Sequence, residues 1–294
     1  MTQGGLPSTI DLHIHTSYSD GRDAPGAVLH RCAALGLKTV AITDHDTTGG
    51  VRVARAMAGE LGLRLIPAIE LTCRWDRCPS PPGEGDIDVL GYFIDLDDAE
   101  FRAFEQAALD DIHARIADCC ALLTADGHPL SIDDVFARNP HYAGLQFLIH
   151  EIQDRYVPDW TDAFDLMASG WRQVRLSRFT IEETIDRIHR AGGVAVLAHP
   201  TAITCDGQRL QEAQVAGLVE MGLDGLEIYH WRLDEAARAA FLALARRFSL
   251  LVSGGSDAHG YFDEYRRLGT EPVTGDMVMS IQARHIEWQD VRTA

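Results

Sequence analysis

Residues 10–21 read IDLHIHTSYSDG, and this stretch decides the architecture. Ile10, Leu12 and Ile14 alternate with Asp11, His13 and His15, which is the two-residue period of a strand. His13 and His15 therefore share a face, and Asp20 follows at once in a turn. Two imidazoles on one rigid surface with a carboxylate close behind make half a metal site. A lone histidine there would read as an ordinary core residue. What favours the metal site is that the pattern returns along the chain.

Residues 38–43 form a short apolar strand that runs into Asp44, His45 and Asp46. Residues 64–69 run into Glu70, and residues 86–94 carry Asp86 and Asp88 on one face. Further on, residues 194–198 run into His199. Residues 225–228 hold Glu227 and lead to His230, and residues 250–253 lead to Asp257 and His259. Amphipathic helices are expected at 24–35, 48–61, 181–191, 210–221 and 234–248. Short buried strands alternating with helices imply parallel βαβ units. In a closed α/β barrel the loops after the strands gather at one face. Strands that each end in a polar or ligating residue predict a seven-stranded barrel with a metal centre at its C-terminal mouth.

The alternation stops between residues 99 and 174, where the pattern is helical throughout. One long helix is expected at 101–123, and Tyr156, Trp160 and Trp171 read as anchors. The division predicted is a barrel built from residues 1–98 and 175–294, with 99–174 inserted as a helical subdomain. Trp75 and the run at 79–82 read as a rim loop. Residues 271–294 show no pattern that favours strand or helix.

With 294 residues and 46% hydrophobic content, the chain can bury a sizeable core. No apolar run reaches membrane-spanning length, and the first residues lack the pattern of a signal peptide, so a cytoplasmic protein is expected. The six cysteines show no paired framework and read as free thiols. A net charge of −18 argues against long nucleic acid. It leaves room for a small anionic substrate, because bound divalent cations reverse the sign locally. Lys38 is the only lysine, so a phosphate clamp would have to be arginine.

Histidine and carboxylate ligands without thiolate suit Mn²⁺, Zn²⁺ or Fe²⁺. The candidates outnumber what one ion can use, which points to two or three ions with a bridging carboxylate such as Glu70.

Taken together, DLHIHTSYSDG, ITDHD, the isolated Glu70, LGYFID, LAHP and GSDAH resemble the successive motifs of the PHP family, the polymerase-and-histidinol-phosphatase phosphoesterases. The bacterial branch of nucleoside 3′,5′-bisphosphate phosphatases and short-RNA exonucleases is the most similar. The resemblance implies a distorted (β/α) barrel and hydrolysis of a phosphate monoester, on a small or nucleotide-like substrate, by a metal-activated hydroxide. It also implies ligand roles for His13, His15, Glu70 and Asp257 at one ion, and for Asp20, His45 and His259 at another. His199 would stand beside the site as a catalytic group or a further ligand, and Asp11 and Asp44 would orient imidazoles.

Two departures stand out. Asp88 occupies the fourth-strand position where the family usually has a histidine ligand. The insertion also lacks the family's arginine–histidine pair, for which His141 or His150 are substitutes, with Arg175 and Arg178 as phosphate-binding candidates. Rival readings are C–N bond hydrolysis of the amidohydrolase type, a nuclease acting on short RNA or DNA, and a non-enzymatic metal-binding module. The first usually needs a bridging lysine on the fourth strand, and Lys38 lies before the second.

Overall fold

The computed structural model describes residues 8–78, 85–205, 207–261 and 267–293. Its centre is a seven-stranded sheet with the strands side by side in chain order: β1 (Ile10–Ile14), β2 (Thr39–Ile42), β3 (Arg64–Arg74), β4 (Asp86–Tyr92), β5 (Val194–Leu197), β6 (Gly225–Tyr229) and β7 (Leu251–Gly254). The chain beyond β7 returns to the first strand. Asp257 N–H donates to the His13 carbonyl at 2.8 Å, and His15 N–H to the Ala258 carbonyl at 3.1 Å. The sheet thus curls into a half-barrel whose first and last strands meet at the HxH segment.

One strand runs against the expected direction. β4 is antiparallel to both neighbours, with Asp88 opposite Thr72 and Val89 opposite Leu197. The other pairings are parallel. Only residues 75–85 link β3 to β4, shorter than the roughly dozen residues a parallel crossover takes, so an antiparallel return is the available geometry. Asp86 and Asp88 therefore reach the mouth from the start of their strand, not from its end.

The helices follow from their punctuation. Among them α1 (Pro25–Ala34) opens on a proline and α2 (Gly49–Glu60) follows β2. Then α3 (Ala99–Ala125) is capped by the Asp98 carboxylate, and α4 (Ile132–Arg138) by a Ser131–Asp134 capping box. They are followed by α5 (Leu145–Arg155) and α6 (Trp160–Trp171). α3 to α6 bury a cluster of their own, including Ile116, Cys119, Leu123, Leu148, Ile152 and Met167. After it come α7 (Ile181–Arg190), α8 (Glu212–Glu220), α9 (Glu235–Phe248) and α10 (Gly275–Thr293). The last occupies the tail that carried no clear pattern. It buries Val278 and Ile281, and it ties to buried Asp224 through Arg284 at 2.7 Å and the Trp288 indole at 3.3 Å.

Two expectations at the rim need correction. Cys78 and Cys205 form a disulfide, Cα atoms 4.9 Å apart, across 127 residues of sequence. Only the curl of the sheet brings them together, so no spacing motif marks them; Cys32, Cys73, Cys119 and Cys120 are free and buried. Trp75 is also buried, within the core on the β3–β4 side, while the run at 79–82 lies outside the described residues.

Candidate metal centre

β1 is buried along its length, and its pleat turns His13 and His15 inward together. Their Nε2 atoms lie 3.1 Å apart. Glu70 Oε2 sits 3.0 Å from His13 Nε2 and 3.2 Å from His15 Nε2. Asp257 Oδ1 stands 3.5 and 3.3 Å from the same two atoms. The Glu70 carboxylate is also 3.6 Å from His45 Nε2 and 3.0 Å from His199 Nε2. Four imidazoles thus converge on one carboxylate. On the far side of His15, whose ring stacks on His259 with centroids 4.0 Å apart, His259 Nε2 lies 3.2 Å from Asp20 Oδ1.

Local backbone makes this convergence possible. His45, just past the end of β2, is bridged to Glu70 within β3, so the second and third strands place these two candidate ligands at one level. Gly255 is required where the last strand end lies against β1. A Cβ there would stand 2.4 Å from the His13 nitrogen. Asp257, at φ +51°, adopts a left-handed conformation that a non-glycine residue holds only when its surroundings impose it.

The electrostatics ask for added positive charge. Burial alone would push the Glu70 carboxyl up, yet His13 and His45 hold it well below the usual range. Burial would likewise disfavour protonated His13, but Glu70, Glu227 and Asp257 outweigh it and raise its pKa well above the ordinary imidazole value. His45 follows the same balance, desolvation against Glu70 and Asp20, and rises to about 9. Without cations, the cluster balances its carboxylates by keeping histidines protonated. Hard carboxylate oxygens and imidazole nitrogens facing one another at hydrogen-bond distance form a donor set that fits divalent cations. Among the described residues, three groups of ligand atoms each lie within 4.8 Å: His13, His15 and Asp257; His15, Asp20, His45 and His259; and His45, Glu70 and Asp88.

Several other candidates fall elsewhere. Asp11 touches no imidazole ring; its carboxylate accepts backbone N–H groups of Ser256 and Gly269, both at 2.9 Å. Asp44 accepts from Thr16 and Ser19 and reaches His15 only through the Ser19 hydroxyl. In both cases the carboxylate holds loop backbone because the neighbouring N–H groups point at it first. Arg175 and Arg178 turn to Asp111 on α3 and line neither cavity beside the cluster. His141 stacks on Tyr18, and His150 pairs with Gln146. The insertion instead places Tyr142 near His45, with ring centroids 6.5 Å apart.

Three further residues belong to the site in the structure, and the sequence marks them weakly or not at all. Glu227 Oε1 accepts from His13 Nδ1 at 2.8 Å, and its other oxygen accepts the His199 backbone N–H at 2.8 Å. His230 Nε2 lies 3.2 Å from Asp257 Oδ2. Their positions at the sixth strand end were visible in the sequence, but their partners were not. Arg115, from α3, lines a cavity of about 240 Å³ beside His45 and Asp88. Nothing in its neighbourhood in the sequence sets it apart from a surface arginine. A second cleft of about 510 Å³ opens on the Asp257 side, and Asp20 borders both.

A family model described as the PHP domain matches residues 11–88. The 5′-3′ exoribonuclease Rnm of Escherichia coli is 31% identical to this chain over 85% of it and 84% of the relative. A 3′,5′-nucleoside bisphosphate phosphatase of Chromobacterium violaceum is 27% identical over 94% of this chain and 98% of the relative. A solved structure from Bifidobacterium adolescentis superposes with a TM-score of 0.80 at 28% identity, over 94% of this chain and 96% of that one. That protein's designation as a metal-dependent phosphoesterase is provisional.

Proposed function

The chain belongs to the PHP family and is a phosphoester hydrolase, and we propose that it removes phosphate from a small, nucleotide-like phosphate monoester with two or three divalent cations bound. The observation that carries this reading is the convergence of His13, His15, His45 and His199 on Glu70. In the proposed assignment His13, His15, Glu70 and Asp257 hold one ion, and Asp20, His45 and His259 hold another, with Mn²⁺, Zn²⁺ or Fe²⁺ as the fitting metals. Asp88, in the third group with His45 and Glu70, would complete a middle site.

When bound, such ions lower the pKa of a coordinated water and neutralise charge on the phosphate oxygens. The chain's own residues do the remaining work. Glu227 fixes His13 with its Nδ1–H outward, so that Nε2 presents a lone pair to the cluster. His199 is not fixed this way. Its Nδ1 has no hydrogen-bond partner among the described residues, and its Nε2 rests on Glu70 at 3.0 Å. That leaves His199 as the group that can pass a proton from Nε2 to the departing oxygen. His230 orients the Asp257 carboxylate. In this reading residues 1–98 and 175–294 supply the ligands, and residues 99–174 form a helical subdomain that roofs them.

Two experiments follow. Protein loaded with Mn²⁺ should release phosphate from at least one member of a panel of nucleoside monophosphates, 3′,5′-bisphosphates and short oligoribonucleotides, and a chelator should abolish the release. Silence across the panel with metal bound would overturn the assignment. Glu227→Gln should weaken metal binding by about 10- to 100-fold in competition with a chromophoric chelator. An unchanged affinity would show that the Nδ1 contact does not tune the site.

A further inference from the structure

We infer that the Cys78–Cys205 disulfide positions His199 against Glu70, and that opening it with a dithiol slows departure of the leaving oxygen. The inference rests on the phosphoesterase reading above, with His199 as proton donor. It adds what holds that donor in place and a chemical signal to which the donor responds.

His199 depends on such support. It stands just past β5 at φ +26°, a conformation that a histidine keeps only where its surroundings impose it. Its backbone N–H donates to Glu227 at 2.8 Å. The ring has no partner at Nδ1 among the described residues, while its Nε2 lies 3.0 Å from Glu70 and 3.8 Å from Asp88. The place of the ring is therefore set by the turn that carries it. In that turn Ala202 N–H donates to the His199 carbonyl at 2.8 Å, and Thr204 and Cys205 pair with Arg209 and Gln208. These bonds hold the turn to itself. Ile203 and Cys205 dock it on the core that also contains Trp75 and Cys78, and the disulfide makes the docking covalent.

The covalent ring is short on both arms. Cys78 lies eight residues beyond Glu70, and Cys205 lies six beyond His199. The Glu70–His199 contact closes one end and the disulfide the other, although Glu70 and His199 are 129 residues apart along the chain. A short closed ring leaves its ends few ways to separate. Once it is opened, the turn keeps its apolar docking and loses its fixed distance from β3. Opening is ordinary thiol–disulfide exchange. One thiolate of the dithiol attacks a protein sulfur and expels the other, and the second thiol then displaces the mixed disulfide. Two electrons and two protons pass to the protein, which ends with two thiols while the dithiol ends as a disulfide. Both cysteines are buried, so exchange waits on local opening and needs long incubation.

The test uses full-length protein reduced with dithiothreitol, desalted under nitrogen and loaded with Mn²⁺. It is compared with the oxidised protein and with the double variant Cys78→Ala/Cys205→Ala. One substrate is the ribose phosphate ester that turns over fastest in the panel above, whose alkoxide needs a proton as it leaves. The other is 4-nitrophenyl phosphate, whose phenolate leaves without one. Opening the disulfide should lower kcat for the ribose ester about tenfold, with KM, manganese content and kcat for the nitrophenyl ester held within about twofold. The double variant should match the reduced protein and ignore dithiothreitol; if it does not fold, the reduced wild type carries the test. An unchanged kcat for the ribose ester would overturn the inference. Equal losses on both esters would overturn it too, because the whole site would then have loosened. A second readout needs no turnover. The His199 ring nitrogen resonances, assigned by their loss in His199→Asn, should move on reduction, and unmoved resonances refute the inference. If the wild type turns over no member of the panel, the phosphoesterase reading fails, and this spectrum still decides whether the disulfide positions His199.

Discussion

Glu70→Gln should cut phosphate release by on the order of a thousandfold or more and lower the metal content of the purified protein. The substitution keeps the shape of the side chain, so the β3–β4 pairing and the buried core around it stay as they are. What changes is charge and donor pattern. Four imidazole nitrogens face this carboxylate, three of them on Oε2 and His199 on Oε1. An amide presents one oxygen and one NH₂ group to the same partners and is a weaker donor to a cation than a carboxylate. It also removes a buried negative charge that the neighbouring histidines and any bound ions depend on. Elemental analysis alongside turnover reads both effects. Full turnover with a full complement of metal would show that Glu70 is not the centre of the site.

Arg115→Met should destabilise the protein by about 3–5 kcal/mol in urea unfolding. The Arg115 side chain is only 1% exposed and is paired with Asp86 at the start of β4. Its Nε donates to the Arg175 carbonyl at 3.0 Å, and its guanidinium lies over the Trp171 ring at 4.6 Å. Methionine fills much of the volume but leaves the Asp86 carboxylate half-buried without its cation. That carboxylate also receives the Ser177 N–H at 2.9 Å, so the strand, the long helix and the return to the barrel all lose a common fastening. Adding Asp86→Asn should recover part of the loss, because the orphaned charge is then gone. A cost below about 1 kcal/mol would place this pair with ordinary surface ion pairs.

Much of the cluster was legible because candidate ligands and strand period coincide. HxH on β1, the acidic and histidine ends of β2, β5 and β7, and isolated Glu70 all fall where a strand feeds the mouth. Direction was less legible. Asp86 and Asp88 share a face whichever way their strand runs, so the pattern could not show that β4 is reversed. Support contacts were the least legible. Glu227 lies 214 residues from His13, and Cys78 lies 127 residues from Cys205. Such pairs are created by the curl of the sheet and leave no local trace. Arg175 and Arg178 looked suitable because they precede the resumed barrel, but buried Asp111 on α3 draws both away.

The reversed fourth strand has a consequence for the chain that follows it. Because β4 descends from the mouth, α3 has to climb back beside it. The 16 steps from Ala99 to Arg115 on this helix rise about 24 Å, and the six steps from Tyr92 back to Asp86 on the strand cover about 20 Å. The helix therefore works as a ruler that reaches the level of Asp86 at Arg115. One residue added or removed below that point would shift the arginine by about 1.5 Å along the axis and swing it by about 100° around it, breaking the match. Above the mark no such register applies. Changes in the helical region beyond Arg115 would leave that register intact, and with it the proposed ligands at the mouth.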